Sequence, residues 1–122
     1  MTDRKEAVAY CLTFTDVYED YPFSDKNWCV IRHHSNHKVF AWIFDRDEHT
    51  WINVKCDSEW RDLWRKAYRS VIPAYHLNKE HWNSIILDGT VPEKEIRRMI
   101  RESYDLTNKK GKEGKKKKNC KE

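Results

Sequence analysis

Between Trp28 and Cys56 the chain passes through three segments rich in Val, Ile, Phe and Trp: Trp28–His34, Lys38–Asp45 and Thr50–Cys56. Only Ser35-Asn36-His37 and Arg46–His49 separate them. Runs of that composition form strands. Links this short cannot carry a crossover, so the three strands are antiparallel neighbours. In the third, Ile52, Val54 and Cys56 alternate with Trp51, Asn53 and Lys55. One sheet face is therefore apolar and the other mixed, the pattern of a sheet covered by helices on one side.

Helical signals flank these strands. Asp3 followed by Glu6 resembles a capping box, and Val8, Cys11 and Leu12 behind it predict a first helix over 3–14. The stretch from Thr15 to Lys26, with Tyr21-Pro22-Phe23, reads as a turn-rich connection. Ser58 is placed to cap a helix over 59–69. Its Trp60, Leu63, Trp64, Ala67 and Tyr68 form a buried stripe, with Arg61, Asp62, Arg65, Lys66 and Arg69 on the wet side. Two more strand runs follow, Ile72–Leu77 and Trp82–Asp88, joined by Asn78-Lys79-Glu80-His81. Pro73 suits an edge strand. Thr90 with Glu93 gives a second capping box, Pro92 fits a first helical turn, and Ile96, Met99, Ile100 and Tyr104 line a last helix ending near Asn108. The predicted class is α+β, a two-layer arrangement of an antiparallel sheet packed by helices, in the order α-β-β-β-α-β-β-α.

The chain has 122 residues, the size of one domain. Charged residues make up 36% against 39% apolar ones, so six Trp, six Tyr and four Phe must supply much of the core. No apolar run reaches the roughly 20 residues of a membrane helix. The opening Met1-Thr2-Asp3-Arg4-Lys5-Glu6 lacks the apolar stretch of a secretory signal. A monomeric cytoplasmic protein, away from any membrane, is the expectation. The net charge of +4 is uneven. Residues 109–122 hold eight lysines against two glutamates, whereas 1–108 hold sixteen basic against eighteen acidic side chains. The single domain is thus expected over 1–108, with a disordered lysine-rich tail over 109–122. Such a tail, with Lys115, Lys116, Lys117 and Lys118 in a row, can hold polyanions by releasing counterions or can simply keep the chain soluble.

Catalysis finds no motif. Cys11, Cys29, Cys56 and Cys120 form no CxxC pair, and the first three sit in apolar patterns, as core thiols of a reducing compartment do. His33, His34 and His37 flank one turn and His49 lies in the next, without acidic or thiolate partners at metal-ligand spacing. His76 and His81 bracket a hairpin, but no Gly-rich elbow marks a nucleophile. Two of the three glycines lie in the tail, leaving no phosphate-cradling loop. No enzyme, metal or cofactor is expected. Cations beside flat aromatics are better placed: Lys55 with Trp51 and Asn53, Lys79 with Asn78 and Trp82, and Lys38 after the histidine turn. They suit phosphate contact with stacking or groove insertion. Taken alone, however, Trp and Tyr near strand ends are usually core, and a lysine at a turn is usually just solvated.

These residues also carry a resemblance. The series Tyr21-Pro22-Phe23, Lys38-Val39-Phe40-Ala41 and Asn53-Val54-Lys55-Cys56-Asp57 resembles the MmcQ/YjbR family of small bacterial proteins. It continues through Val71–Asn83, where His76-Leu77-Asn78-Lys79 and His81-Trp82-Asn83 are the most specific part, then Leu87–Pro92 and Ser103–Leu106. The resemblance implies a fold similar to type III secretion chaperones and DNA binding through paired hairpins acting as a double wing. It places Lys38, Lys55, His76, Asn78, Lys79 and Trp82 at motif positions, and the first turn has His37-Lys38 where the family usually has Gly-Lys. On this reading Lys55 and Lys79 contact phosphates, His76 and Asn78 orient the hairpin or touch bases, and the tail adds non-specific affinity to DNA. The competing expectation is a chaperone-like interaction module that binds a partner segment.

Overall fold

The computed structural model describes residues 1–108. The chain forms α1 (Arg4–Cys11), β1 (Val17–Asp20), β2 (Cys29–His33), β3 (Val39–Arg46), β4 (His49–Lys55), α2 (Ser58–Ala67), β5 (Val71–Pro73), β6 (Trp82–Ile86) and α3 (Glu93–Thr107). All strands pair antiparallel in one sheet of order β1-β2-β3-β4-β6-β5. The helix and strand order is the expected one, with β1 added inside the segment read as a connection. Two acids in its four residues, Glu19 and Asp20, hide it from an apolar pattern. Its order comes from the neighbour it pairs with and from Arg32, whose Nε donates to Asp20 Oδ2 at 2.8 Å. Among the described residues no helix is long and apolar enough to cross a membrane.

The three helices lie on one face. Cys29, Ile31, Ala41, Ile43, Ile52, Val54 and Ile85 of the sheet are buried there with Ala7, Trp64, Ile96, Met99 and Ile100. The register slips between Ile31↔Ala41 and Arg32↔Val39, which leaves Phe40 over as a bulge. Phe40 turns to the helix side, its ring 5.1 Å from His33, 5.3 Å from Tyr104 and 5.6 Å from Phe14. Ser103 straps α3 down: its hydroxyl donates to the Phe40 carbonyl (2.6 Å) and accepts from the Lys55 N–H (2.8 Å). Cys11, Cys29 and Cys56 are buried free thiols, and burial pushes the Cys56 thiol up to about 12. Cys120 lies outside the described residues.

Helix starts follow the capping rules with two changes. The Asp3–Glu6 box forms as expected. Asp57, not Ser58, caps α2 by accepting the Glu59 N–H, because the acid sits one residue earlier in extended backbone. α3 starts at Pro92 without a side-chain cap. Thr90 instead bonds Asp88 and Ser70, while Glu93 holds the amino terminus of Met1 at 2.8 Å. The α2 stripe also departs from expectation. Trp64 is buried, but Trp60 and Leu63 are 41% and 50% exposed, because Arg61 and Arg65 take the inner edge of the helix.

A buried histidine gives the fold a pH dependence. His33 is 1% exposed, between Phe40 and Tyr104, and its Nε2 meets Thr107 Oγ1 at 2.7 Å. Thr107 Oγ1 donates to the Ser103 carbonyl, so it accepts from a neutral Nε2–H. Burial holds the His33 pKa below the ordinary histidine value; Asp16 opposes this and Lys38 reinforces it. Sign follows directly: the unfolded chain takes up the proton first, so stability is complete above about 6.5 and declines as pH falls below it. Glu102, raised by burial, acts in the opposite sense. Urea unfolding from pH 8 to 5 should therefore show a smaller loss in His33→Gln than in the native chain. Equal losses would assign the dependence elsewhere.

Candidate nucleic-acid interface

Antiparallel pairing brings the start of β3, the end of β4 and the start of β6 to one end of the sheet. Lys38 precedes β3, Lys55 closes β4, and Lys55 pairs with Trp82 in register. Lys79 stands in the segment between β5 and β6 that turns at the same end. Lys38 and Lys79 are exposed and Lys55 is half-buried. Among the described residues, none of the three has a carboxylate within ion-pairing distance; every ion pair there uses an arginine or the amino terminus. His34, His37 and His81 are exposed at this end too. The opposite end gathers Asp25, Asp45, Asp47, Glu48 and Asp88 around the β3–β4 turn and the end of β6. Asp16, Asp57 and Glu80 share the lysine-bearing end, and Arg4, Lys26 and Arg46 the opposite one. What sets the three lysines apart is thus their lack of carboxylate partners among the described residues rather than a single-sign end.

The hairpin segment carrying Lys79 is clamped from behind. Arg61 Nη1 donates to the Glu80 carbonyl at 2.7 Å, and Arg65 donates to the carbonyls of Lys79 and Trp82. Arg65 Nε also donates to Oδ1 of the fully buried Asn83 at 2.6 Å, and Asn83 Nδ2 returns a bond to the Arg61 carbonyl. Asn78 Oδ1 accepts the Glu80 N–H, and its carbonyl accepts from His81 and Trp82. With the backbone carbonyls engaged by α2, the lysine side chain is left on the outside. Asn78 therefore shapes the turn, and Trp82, half-buried beside Lys55, anchors it.

The turn holding Lys38 is fixed to α3. Asn36 Oδ1 accepts the Lys38 N–H (2.9 Å) while Asn36 Nδ2 donates to the Thr107 carbonyl (2.9 Å). The described chain therefore ends, at Asn108, near the lysine-bearing end; Lys115, Lys116, Lys117 and Lys118 lie outside the described residues. His37 has a left-handed backbone, φ 62°. Glycine adopts that conformation without strain, so the Gly-Lys that the resemblance implies for this turn would fit the same backbone. Here Tyr18 Oη meets His37 Nδ1 at 3.0 Å, and Arg32 Nη1 donates to the His37 carbonyl at 2.8 Å.

His76 does not join the lysines. Its backbone is also left-handed, φ 66°, and its ring sits 6.1 Å from Trp28, which precedes β2 at the other end of the sheet. Buried Asn53 and Ser84 pull this loop across the open face: Asn53 Nδ2 donates to the Tyr75 carbonyl, Ser84 Oγ accepts the Tyr75 N–H, and Ser84 Oγ donates to Asn53 Oδ1. Tyr75 then stacks over Phe44 and under Arg46, whose guanidinium is 4.0 Å from the ring centre. An aromatic layer results that motif reading missed. Its signal was the alternation of Trp42 and Phe44 with Ala41 and Ile43, together with Trp28 and Phe23 beside it.

The same architecture occurs in known proteins. The family model YjbR matches residues 12–106. The chain belongs to the YjbR family. The uncharacterised protein YyaQ of Bacillus subtilis is 36% identical over 99 residues, covering 72% of this chain and 83% of that protein. The uncharacterised YjbR of Escherichia coli K12 is 32% identical over 66 residues, 54% of this chain and 56% of that protein. Among solved structures, protein DR2400 of Deinococcus radiodurans superposes with a TM-score of 0.82 at 31% identity, covering 93% of this chain and 83% of that one. A Pseudomonas syringae protein gives 0.77 at 30% identity, covering 87% and 99%. The YjbR match stops before the lysine-rich stretch.

Proposed function

We propose that this YjbR-family protein is a monomeric, non-catalytic DNA-binding protein of the cytoplasm, which grips phosphates at the lysine-bearing end of its sheet. The observation that carries this reading is the gathering of Lys38, Lys55 and Lys79, free of carboxylate partners among the described residues, at the end from which the chain runs on into 109–122. Lys55 and Lys79 contact phosphates, Lys38 extends the strip, and the tail lysines add counterion release. His76 takes no part in phosphate contact, and Asn78 and Trp82 support the hairpin. Duplex binding by the full chain, followed by anisotropy across roughly 50–200 mM salt, should weaken log-linearly with salt. Changing Lys115, Lys116, Lys117 and Lys118 to Gln should lower the slope by about 0.9 for each phosphate no longer neutralised, while binding persists. Salt-independent binding, or its complete loss in the tail variant, would refute a role for the folded residues.

A second reading, the chaperone-like interaction module, draws on the exposed Trp60 and Leu63 of α2. Apolar docking there would be nearly indifferent to salt, which separates the two.

A further inference from the structure

The aromatic layer borders an open cleft of about 350 Å³ on the open sheet face, lined by Phe23, Asp25, Trp28, Trp42, His76 and Leu77. Trp28 and Trp42 meet at 83° with ring centres 6.3 Å apart, forming a corner. Phe23 lies nearly parallel to Trp42 at 6.2 Å, and His76 leans over Trp28. The corner is held from beneath, since Trp28 stacks on buried Phe44 at 4.3 Å. Phe23, by contrast, is 47% exposed, far more than packing requires.

Charge decides what such a cleft accepts. Its lining contains a single acidic side chain, Asp25, and no lysine or arginine. Among the described residues Asp25 has no ion-pair partner; Oδ1 accepts the Asn27 N–H, so the carboxylate is fixed in place. The one formal charge in the lining is therefore negative, and Arg46 lies over Tyr75, outside the lining. Tryptophan faces present the strongest negative quadrupole of any side chain, and a cation within about 6 Å of two such centres is attracted by both. Methyl groups on that cation make it fit apolar walls and lower its cost of leaving water.

We propose that this cleft binds the head of a small quaternary ammonium compound, with Trp28, Trp42 and Phe23 as walls and Asp25 as counter-ion. The site is separate from the lysine-bearing end and does not depend on DNA binding.

Choline is the probe, titrated into the full chain and followed by upfield ring-current shifts of its N-methyl protons and by tryptophan fluorescence. Its neutral isostere, 3,3-dimethylbutan-1-ol, should bind at least about tenfold more weakly, because shape without charge gains nothing from the quadrupoles. Phe23→Ala, at a half-exposed position that the fold does not need, should lose most of the affinity. Asp25→Asn keeps the Oδ1 acceptor for Asn27 and should weaken choline several-fold while leaving the isostere unchanged. Equal binding of choline and the isostere overturns the proposal in favour of a merely apolar cleft. Tighter binding of adenosine, in competition with choline, overturns it in favour of a stacked base. A trimethyllysine peptide binding tenfold better than choline would move the ligand from a small molecule to a protein.

Discussion

Replacing Lys38, Lys55 and Lys79 together by alanine is expected to weaken duplex binding on the order of a hundredfold near 0.1 M salt and to lower the salt slope by about 3. The three ammonium groups come from the turn before β3, the end of β4 and the β5–β6 segment, so their approach to a common end is a property of antiparallel register rather than of neighbouring sequence. Each phosphate deprived of its lysine takes about 0.9 off the slope. None of the three side chains is buried, and the Lys79 loop is held by its carbonyl to Arg65, which the substitution retains. Thermal unfolding should therefore change by no more than about 0.5 kcal/mol per site. Anisotropy on two unrelated duplexes makes the measurement. A slope unchanged from the native chain would leave all phosphate contact to residues 109–122.

Phe44→Ala should cost about 3–5 kcal/mol, a large share of the roughly 5–15 kcal/mol that holds a domain of this size. Phe44 is 1% exposed, stacks on Trp28 at 4.3 Å and on Tyr75 at 5.7 Å, and meets Trp51 at a tilt with ring centres 5.7 Å apart. It occupies the middle of an aromatic layer that has no helix over it, and Tyr75, which lies over it, is held by its backbone bonds to Asn53 and Ser84, so little can settle into the void. Urea unfolding gives the loss directly. The choline response should fall with it, because the Trp28 ring rests on Phe44. A loss under about 1 kcal/mol would mean that the open-face aromatics contribute little to stability.

The sequence made the three central strands legible because their alternation and short links obey local rules. It concealed β1, whose strand character comes from pairing with β2, and it misplaced the α2 stripe. Trp60 and Leu63 have the right period for burial, but Arg61 and Arg65 are drawn inward by carbonyls of the 79–82 segment, a long-range demand with no local signature. For the same reason the motif around His76 divides in space. Lys79 goes to one end of the sheet, and His76 goes to an aromatic cleft because Asn53 and Ser84 carry the Tyr75 backbone across the open face. One short linear motif thus contributes to two surfaces.

Helix ends ordinarily fray before the rest of a protein opens. The carboxyl end of α3 is an exception, because Asn36 holds the Thr107 carbonyl and the buried His33 ring holds the Thr107 hydroxyl. Its last turn and the β2–β3 hairpin should exchange amide hydrogens as one cooperative unit. A pull applied beyond Asn108 is accordingly transmitted to the loop that presents Lys38, before any other part of the domain yields.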